Sequence, residues 1–223
     1  MQKTGAPGRS IMSKIEEKKI NLCYKFKQGD TVNYEVNKTI REKIISNKNV
    51  SLHSKKTFTS HREQKITHID DRGMASITIN NNNNIKEVNI DNKGNSMTDS
   101  VSYLFSLPEE EVKINSKWTK KQILSLPFLS VPLEYNITYL LSEYRYLKEY
   151  NCVRIEVLPE EITCPLILED NITCNQITSF DGEFYFASEE GVLVKSIQRT
   201  NIIARVETFL LDSTLEIVME LKK

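Results

Sequence analysis

The chain has 223 residues, of which 39% are hydrophobic and 27% are charged, and its 30 basic and 30 acidic side chains give a net charge of zero. This length and composition are sufficient to bury a core and exclude an intrinsically disordered chain. No stretch approaches the ~20 consecutive apolar residues of a transmembrane helix. The zero net charge argues against a dedicated nucleic-acid-binding protein.

The N-terminal stretch MQKTGAPGRSIMSK lacks the apolar core of about 7 residues or more that a secretory signal needs. Its GAPGRS segment resembles a vector-derived linker, and a second methionine follows at Met12. We therefore treat residues 1–12 as lying outside the fold. The remainder, residues 13–223, is predicted to form a single β domain, with sub-lobes at 20–107 and 108–223.

Alternation of apolar and polar side chains is the dominant pattern and predicts antiparallel β-strands with one dry face. It begins in NLCYKFK, where Leu22, Tyr24 and Phe26 share one face, and it resumes after the QGD turn. We interpret residues 20–37 as a hairpin. A long polar strand is predicted from about residue 50 to residue 70.

The asparagine run at 80–84 and the DNKGN segment at 91–95 are predicted loops, with a short strand IKEVNI between them. Residues 97–107 instead carry apolar side chains at helical spacing, and Pro108 ends the run. This spacing predicts an amphipathic helix that packs on the sheet, and a helix that binds a partner is the alternative.

The only tryptophan, Trp118, is interpreted as a core side chain at the edge of the sheet, with an exposed anchor as the alternative. The segment SLPFLSVP, residues 125–132, contains two prolines and is unsuited to a central strand. We expect this segment and the predicted helix to cover the apolar face of the sheet. Further strands are predicted in EYNITYLLSEYRYL, CVRIEVL and STLEIVMEL.

The stretch FDGEFYFASEEGVLVKS, residues 180–196, holds four carboxylates and raises the question of an acid–base site. Its alternation and its ASEEG turn predict a hairpin with Glu189 and Glu190 at the tip and Gly191 at a positive φ. A general acid–base pair needs two carboxylates in one partly desolvated pocket, which a turn does not provide. We expect Asp181 to make a local turn.

The same hairpin predicts an ion pair between Glu183 and Lys195 across its strands. Elsewhere the chain has no glycine-rich phosphate loop, no nucleophile elbow and no HExxH motif. The histidines His53, His61 and His68 fall far apart or on opposite faces of a regular strand. We therefore predict no catalytic residue, no metal site and no cofactor.

The four cysteines form no CxxC motif, which argues against a zinc ribbon and a thioredoxin-type site. Cys164 and Cys174 flank PLILEDNIT, a short segment that a disulfide could close in an oxidising compartment. A Cys164–Cys174 disulfide and two free thiols are the alternatives. Cys23 and Cys152 are interpreted as small apolar side chains in strands.

Two clusters leave alternatives open. Residues 38–68 carry a basic excess, which fits pairing with acidic strands or exposure to water, or else a basic face for an anionic partner. A group of tyrosines fits cross-strand packing, or else stacking on sugars or bases. These tyrosines are Tyr135, Tyr139, Tyr144, Tyr146 and Tyr150.

In chain order, YKFKQGDTVNYEV, QKITHIDDRGMASITI, LPEEEVKINSKW, YLKEYNCVRIEV and FDGEFYFASEEGVLVKS resemble a family of uncharacterised bacterial envelope proteins, known only as an all-β domain of unknown function. The resemblance spans about residues 20–211. More distantly, the layout is similar to the open, curved β-sheets of bacterial lipoprotein carriers, which hold acyl chains on a concave face. The resemblance implies secretion or lipid anchoring, hence an extracytoplasmic location, and it supplies no catalytic residues.

These patterns predict a mainly β fold: a long-stranded, antiparallel, curved meander that forms an open or half barrel, with one or two short helices. The expected function is a non-enzymatic envelope binding protein that holds a lipid or another apolar ligand, or a protein partner, on the concave face. A structural or assembly module that acts through the sheet edges or face is one alternative, and an enzyme is another. Neither a nucleic-acid partner nor a transmembrane segment is expected.

Overall fold

A computed structural model of the chain describes residues 18–46, 49–96, 105–124, 133–167, 173–206 and 209–222. Within these ranges the chain forms ten β-strands and no helix. The strands are β1 (Thr31–Ser46), β2 (Asn49–Ile69), β3 (Ala75–Asn81), β4 (Asn84–Ile90), β5 (Lys117–Leu124), β6 (Leu133–Leu147), β7 (Tyr150–Ile167), β8 (Thr173–Ala187), β9 (Val192–Val206) and β10 (Phe209–Lys222).

All ten strands belong to one curved, unclosed antiparallel sheet with the order β4-β3-β2-β1-β10-β9-β8-β7-β6-β5. Strands β1 to β4 form one meander and β5 to β10 form another. Pairing of β1 with β10 joins the two meanders. The predicted mainly β, antiparallel and curved architecture is thus confirmed, whereas the predicted short helices are absent from the described ranges. The division into sub-lobes stays a prediction.

The sheet has one apolar face because its strands alternate with a period of two. Tyr34 and Val36 of β1 are buried, and they lie opposite Leu221 and Met219 of β10. We call this side of the sheet the inner face and the opposite side the outer face. The inner face carries the main core, which also includes Phe184 of β8 at 4% exposure.

Residues 20–27 cross the inner face as an extended segment that is not a strand of the sheet, so the predicted hairpin over 20–37 is wrong. The predicted alternation still describes which side chains are buried, since Leu22 and Tyr24 are 0% and 5% exposed. The backbone N–H of Tyr24 donates to Asn92 O at 2.8 Å, and that of Lys25 donates to Gly191 O at 3.2 Å. Ile20 exchanges two backbone hydrogen bonds with Val112, so the segment is held by turns and by Val112 rather than by β1.

A second extended segment, residues 105–112, packs on the inner face beside the first. Leu107 is fully buried, and the Phe105 ring stacks on the Phe184 ring with their centroids 4.3 Å apart. Residues 105–107 are not helical, so the C-terminal end of the predicted 97–107 helix is wrong, and residues 97–104 lie outside the described ranges. The covering segment 125–132 lies outside them as well.

Two short turns account for the asparagine run at 80–84 and for the predicted hairpin at 180–196. Asn82 and Asn83 form a turn with φ of 48° and 70°, a left-handed conformation that asparagine tolerates well. The predicted loop at 80–84 is therefore only these two residues, and its flanks belong to β3 and β4. Glu189 and Glu190 are exposed at the β8–β9 turn, which confirms that part of the prediction.

Charged side chains cover the outer face as ion pairs between strands. Arg154 contacts Glu183 at 2.6 Å and Glu156 at 2.8 Å, and Arg199 contacts Asp181 at 3.2 Å. Asp181 lies within β8, so the prediction that it makes a local turn is wrong.

The predicted Glu183–Lys195 ion pair is also wrong, because the β8–β9 register places Glu183 opposite Ile197. Lys195 instead contacts Glu220 at 2.8 Å, and Lys148 contacts the other oxygen of that carboxylate at 3.0 Å. The hydrogen bond from Lys195 lowers the pKa of Glu220, partial burial opposes this, and Lys148 lowers the pKa further. The charged form of Glu220 therefore stabilises the fold.

We expect Glu220→Gln to reduce the free energy of unfolding by about 0.5–1 kcal/mol at pH 7. The folded-state pKa of Glu220 is lowered, so its contribution is complete above the ordinary glutamate pKa of about 4.3 and is lost as the pH falls through the folded-state value. Urea unfolding at pH 7 and pH 3 should show the difference from wild type shrinking at pH 3. Glu189→Gln, at the exposed turn, is the control, and a difference that persists at pH 3 would contradict the assignment.

Gly191 is required where the first extended segment meets the β8–β9 turn. Its φ is +70°, and an added Cβ would lie 2.5 Å from the backbone nitrogen of Lys25. Gly73 is a matched control, since its φ is +81° and nothing lies within 4 Å of its added Cβ. We expect Gly73→Ala to cost about 1 kcal/mol from backbone strain alone and Gly191→Ala about 3 kcal/mol. Equal losses in chemical denaturation would show that the contact with Lys25 is not needed.

Candidate functional site

The core fills only part of the inner face. Strands β3 and β4 have 7 residues each, whereas the adjacent β1 and β2 have 16 and 21. The long strands therefore continue beyond the core, and their inner side chains there are partly exposed. We call this region the open inner surface. Its described side chains are Lys38, Ile40, Glu42, Ile44, Leu52, Lys56, Phe58, Ile202, Leu211 and Leu215.

The strand register brings the apolar members together. Ile40 lies opposite Leu215 of β10, and Ile44 lies between Leu211 of β10 and Leu52 of β2. These residues share the inner face with Tyr34 and Val36 because each is an even number of residues away along an unshifted ladder. The sheet thus places an apolar surface next to the core without burying it.

Two side chains of this surface are unusually exposed for their size. Phe58 is 52% exposed and Leu52 is 47% exposed, although both point to the same side of the sheet as the core. Burying a phenylalanine or leucine side chain fully is worth about 1.5–3 kcal/mol, so leaving half of each in water forgoes part of that stabilisation. Leu52 and Phe58 lie six residues apart on β2, and each adds exposed apolar surface to the group formed by Ile40, Ile44, Leu211 and Leu215. Exposed apolar surface that is contiguous marks binding sites.

The dimensions of the open inner surface suit an extended chain. From Lys38 to Ile44 the strand rises by roughly 20 Å, at about 3.4 Å per residue. From β2 across β1 and β10 to β9 there are three interstrand spacings, roughly 14 Å in all. The surface therefore measures roughly 20 Å by 14 Å, and it is bounded on one side by the filled part of the inner face.

Charged side chains interrupt the apolar surface on β1 and β2. Lys38 lies opposite Phe58, and Lys56 lies opposite Ile40. Both lysines are exposed, and neither forms an ion pair with any side chain in the ranges that the structure describes. Glu42 accepts a hydrogen bond of 3.0 Å from Ser54 Oγ. The surface is thus amphiphilic rather than uniformly apolar.

A separate, partly open cavity of about 130 Å³ lies near the turns at the filled end of the sheet, bounded by Tyr34, Gln64, Ile77 and Leu193 among others. The Nε2 atom of Gln64 is buried, and no group in the described part of the chain accepts a hydrogen bond from it. At about 30 Å³ per water, the cavity has room for about four water-sized molecules. It is too small for a lipid.

The titratable groups with the largest pKa shifts in the described ranges are buried and structural. Burial raises the pKa of Tyr24 and of Tyr34 well above that of a free phenol. Burial, with a smaller contribution from Glu190, raises the pKa of the Cys152 thiol to about 11. These groups stay protonated at neutral pH, so none of them can act as an anionic nucleophile or a general base there.

The histidines and cysteines that the sequence analysis considered as site residues lie at scattered places. His53, His61 and His68 are all exposed on β2, and no group of metal-ligating side chains occurs in the described part of the chain. The register places Cys164 opposite Gln176 and Cys174 opposite Leu166. The side chains of both cysteines lie outside those described, so their disulfide stays a prediction. The absence of an enzymatic function and of cofactors also stays a prediction.

Aromatic packing resolves part of the tyrosine cluster. Tyr139 is 3% exposed and stacks on Trp118 of the edge strand β5, with the ring centroids 5.5 Å apart. This confirms the interpretation of Trp118 as a core side chain at the sheet edge. Tyr144 and Tyr146 are instead 37% and 71% exposed. For these two, stacking on a ligand stays a hypothesis.

No family model matches the chain, and no curated protein matches it significantly. The resemblance to an envelope protein family and to lipoprotein carriers therefore stays a prediction. In the described ranges there is no helix long and apolar enough to span a membrane.

Proposed function

We propose that this protein is a non-enzymatic binding protein that holds an apolar or amphiphilic ligand on the open inner surface. The observation that carries the proposal is the exposure of Leu52 and Phe58, at 47% and 52%, on the face of the sheet that elsewhere holds the core. Location in the bacterial envelope belongs to the proposal too, and only the family resemblance supports it.

Energetics favour a ligand with a long hydrocarbon chain. Burying one methylene group is worth about 0.8 kcal/mol, so ten methylenes would contribute about 8 kcal/mol before the cost of association is subtracted. The apolar side chains of the open inner surface supply such contacts along its length of roughly 20 Å. The same ligand would remove Phe58 and Leu52 from water, which adds to the gain.

We expect the double variant Leu52→Glu/Phe58→Glu to weaken binding of the neutral fluorescent probe Nile red at least tenfold, because two carboxylates would be desolvated against an apolar molecule. Fluorescence titration measures the dissociation constant. Ile203→Glu is the matched control: Ile203 is 39% exposed and faces outward, opposite Asp212. Equal loss in both variants, or no loss in the double variant, would contradict the proposed surface.

Assembly through the sheet edges is a second candidate function, which the topology favours because the sheet does not close. In the described sheet, strand β4 has β3 as its only strand neighbour, apart from an isolated bridge between Ile90 and Ser96, and it carries Ile85 at 67% exposure. The opposite edge, β5, carries Lys117, Lys120 and Lys121, and lysines discourage strand addition. Strand β4 is therefore the edge better suited to receive another strand.

If β4 receives a strand from a second copy, the wild-type protein sediments as a dimer at high concentration and Ile85→Lys shifts it to a monomer. Sedimentation velocity over a wide concentration range measures this. A wild-type protein that remains monomeric throughout contradicts self-assembly and leaves ligand binding as the function to test.

A further inference from the structure

Resting on the proposed function, we infer that the ligand is an anionic lipid whose head group is held by Lys38 and Lys56. Its acyl chain then lies on the apolar side chains that surround these lysines, chiefly Ile40, Phe58 and Leu215. The protein then prefers an anionic head group to a zwitterionic one, and Lys38 and Lys56 create that preference.

The register places the two lysines as diagonal neighbours on one face. Lys38 lies opposite Phe58 and Lys56 lies opposite Ile40, so the backbones of the two lysines are about 7–8 Å apart. Each ammonium group is carried on a flexible four-carbon stem, which allows both to reach a single anionic group between them. Ile40 and Phe58 complete this four-residue patch with apolar surface.

Several lysines of the outer face form ion pairs with carboxylates, and in the described ranges the two inner lysines do not. On the outer face, Lys195 contacts Glu220 at 2.8 Å, and Lys222 contacts Glu35 at 2.8 Å. Lys38 and Lys56 have no carboxylate partner among the residues described. They stand on an apolar surface where two like charges in close proximity repel each other, and an anionic ligand would relieve that repulsion.

The neighbouring charges on the inner face leave a positive excess. Glu42 is the other diagonal neighbour of Lys56, on the side of Ile40 away from Lys38, and it accepts a hydrogen bond from Ser54 Oγ. Arg62, farther along β2, adds a third positive charge and donates to Asn81 Oδ1 at 2.9 Å. The described inner face of β1 and β2 therefore has an excess of positive charge, which complements an anionic head group and not a cationic one.

The test uses two lysolipids with the same acyl chain, anionic lysophosphatidylglycerol and zwitterionic lysophosphatidylcholine, each displacing Nile red below its micelle concentration. For the wild-type protein we expect lysophosphatidylglycerol to displace the probe at about tenfold lower concentration. Lys38→Glu/Lys56→Glu should abolish or reverse this preference, which is read as the ratio of the two displacement concentrations within the same variant. Lys38→Arg/Lys56→Arg should keep the preference.

Lys43→Glu/Lys55→Glu is the matched control, because it makes the same change in net charge on the outer face of the same two strands. Loss of the preference in this control to the same extent would overturn the assignment to the inner lysines. If Lys38→Glu/Lys56→Glu fails to fold, as judged by its unfolding transition, Lys38→Gln/Lys56→Gln replaces it. This variant is expected to lose the preference for lysophosphatidylglycerol without reversing it.

The two proposals fail in different ways. If neither lysolipid binds the wild-type protein, and Nile red binding is unaffected by Leu52→Glu/Phe58→Glu, the proposed function itself is wrong. If both lysolipids bind with equal affinity, the apolar surface binds a ligand but the charge preference is wrong.

Discussion

Pairing of the first strand with the last is the interaction on which the rest of the structure depends. The β1–β10 ladder runs from Asn33 opposite Lys222 to Ser46 opposite Phe209, and it joins a four-stranded meander to a six-stranded one. All other ladders in the described sheet link strands that are consecutive along the chain. Without this one long-range ladder, each meander would have its own edge at β1 or β10, and neither would hold the shared core.

A single-layer sheet leaves one apolar face to cover, and this chain covers part of it with two extended segments rather than with a second sheet. Lys93, in the turn after β4, joins them: its ammonium donates to Asn21 Oδ1 and to Leu22 O, each at 2.7 Å, and its backbone carbonyl accepts a hydrogen bond of 2.8 Å from Leu107 N. A lysine that is only 8% exposed is uncommon, and here its long stem reaches from that turn to the first covering segment. Tyr24 adds a hydrogen bond from its hydroxyl to Phe105 O.

Alternation in the sequence was sufficient to predict the strands and their apolar face, because a period of two reports directly which side chains are buried. It was not sufficient to predict hydrogen-bond partners. Leu22 and Tyr24 alternate like strand residues, yet the backbone of their segment forms hydrogen bonds with turns instead of with β1. No local pattern distinguishes such a segment from a strand of the sheet. The Glu183–Lys195 error has a similar origin, because alternation does not give the register: the turn pairs Ala187 with Val192, and a β-bulge between Tyr185 and Phe186 then places Lys195 opposite Tyr185.

The open inner surface was harder to predict than the core. The basic excess over residues 38–68 was visible in the sequence, with a basic face for an anionic partner as one alternative. The sequence did not reveal which lysines share a face, because that depends on the β1–β2 register and on its lack of a shift before Ile44. Only the ladder separates Lys38 and Lys56 from the outward Lys43 and Lys55.

The order of side chains along the inner face of β1 distinguishes the kinds of partner that it suits. Val32, Tyr34 and Val36 form an unbroken apolar row within the core, after which charged and apolar residues alternate through Lys38, Ile40, Glu42 and Ile44. A second sheet packed against this region would bury those charges without partners, at a cost of several kcal/mol for each ion. An amphiphile requires no such burial, because its chain covers the isoleucines while its head group and the charged side chains remain in water. The mixed row therefore favours a lipid over a packed protein layer as the occupant of the open inner surface.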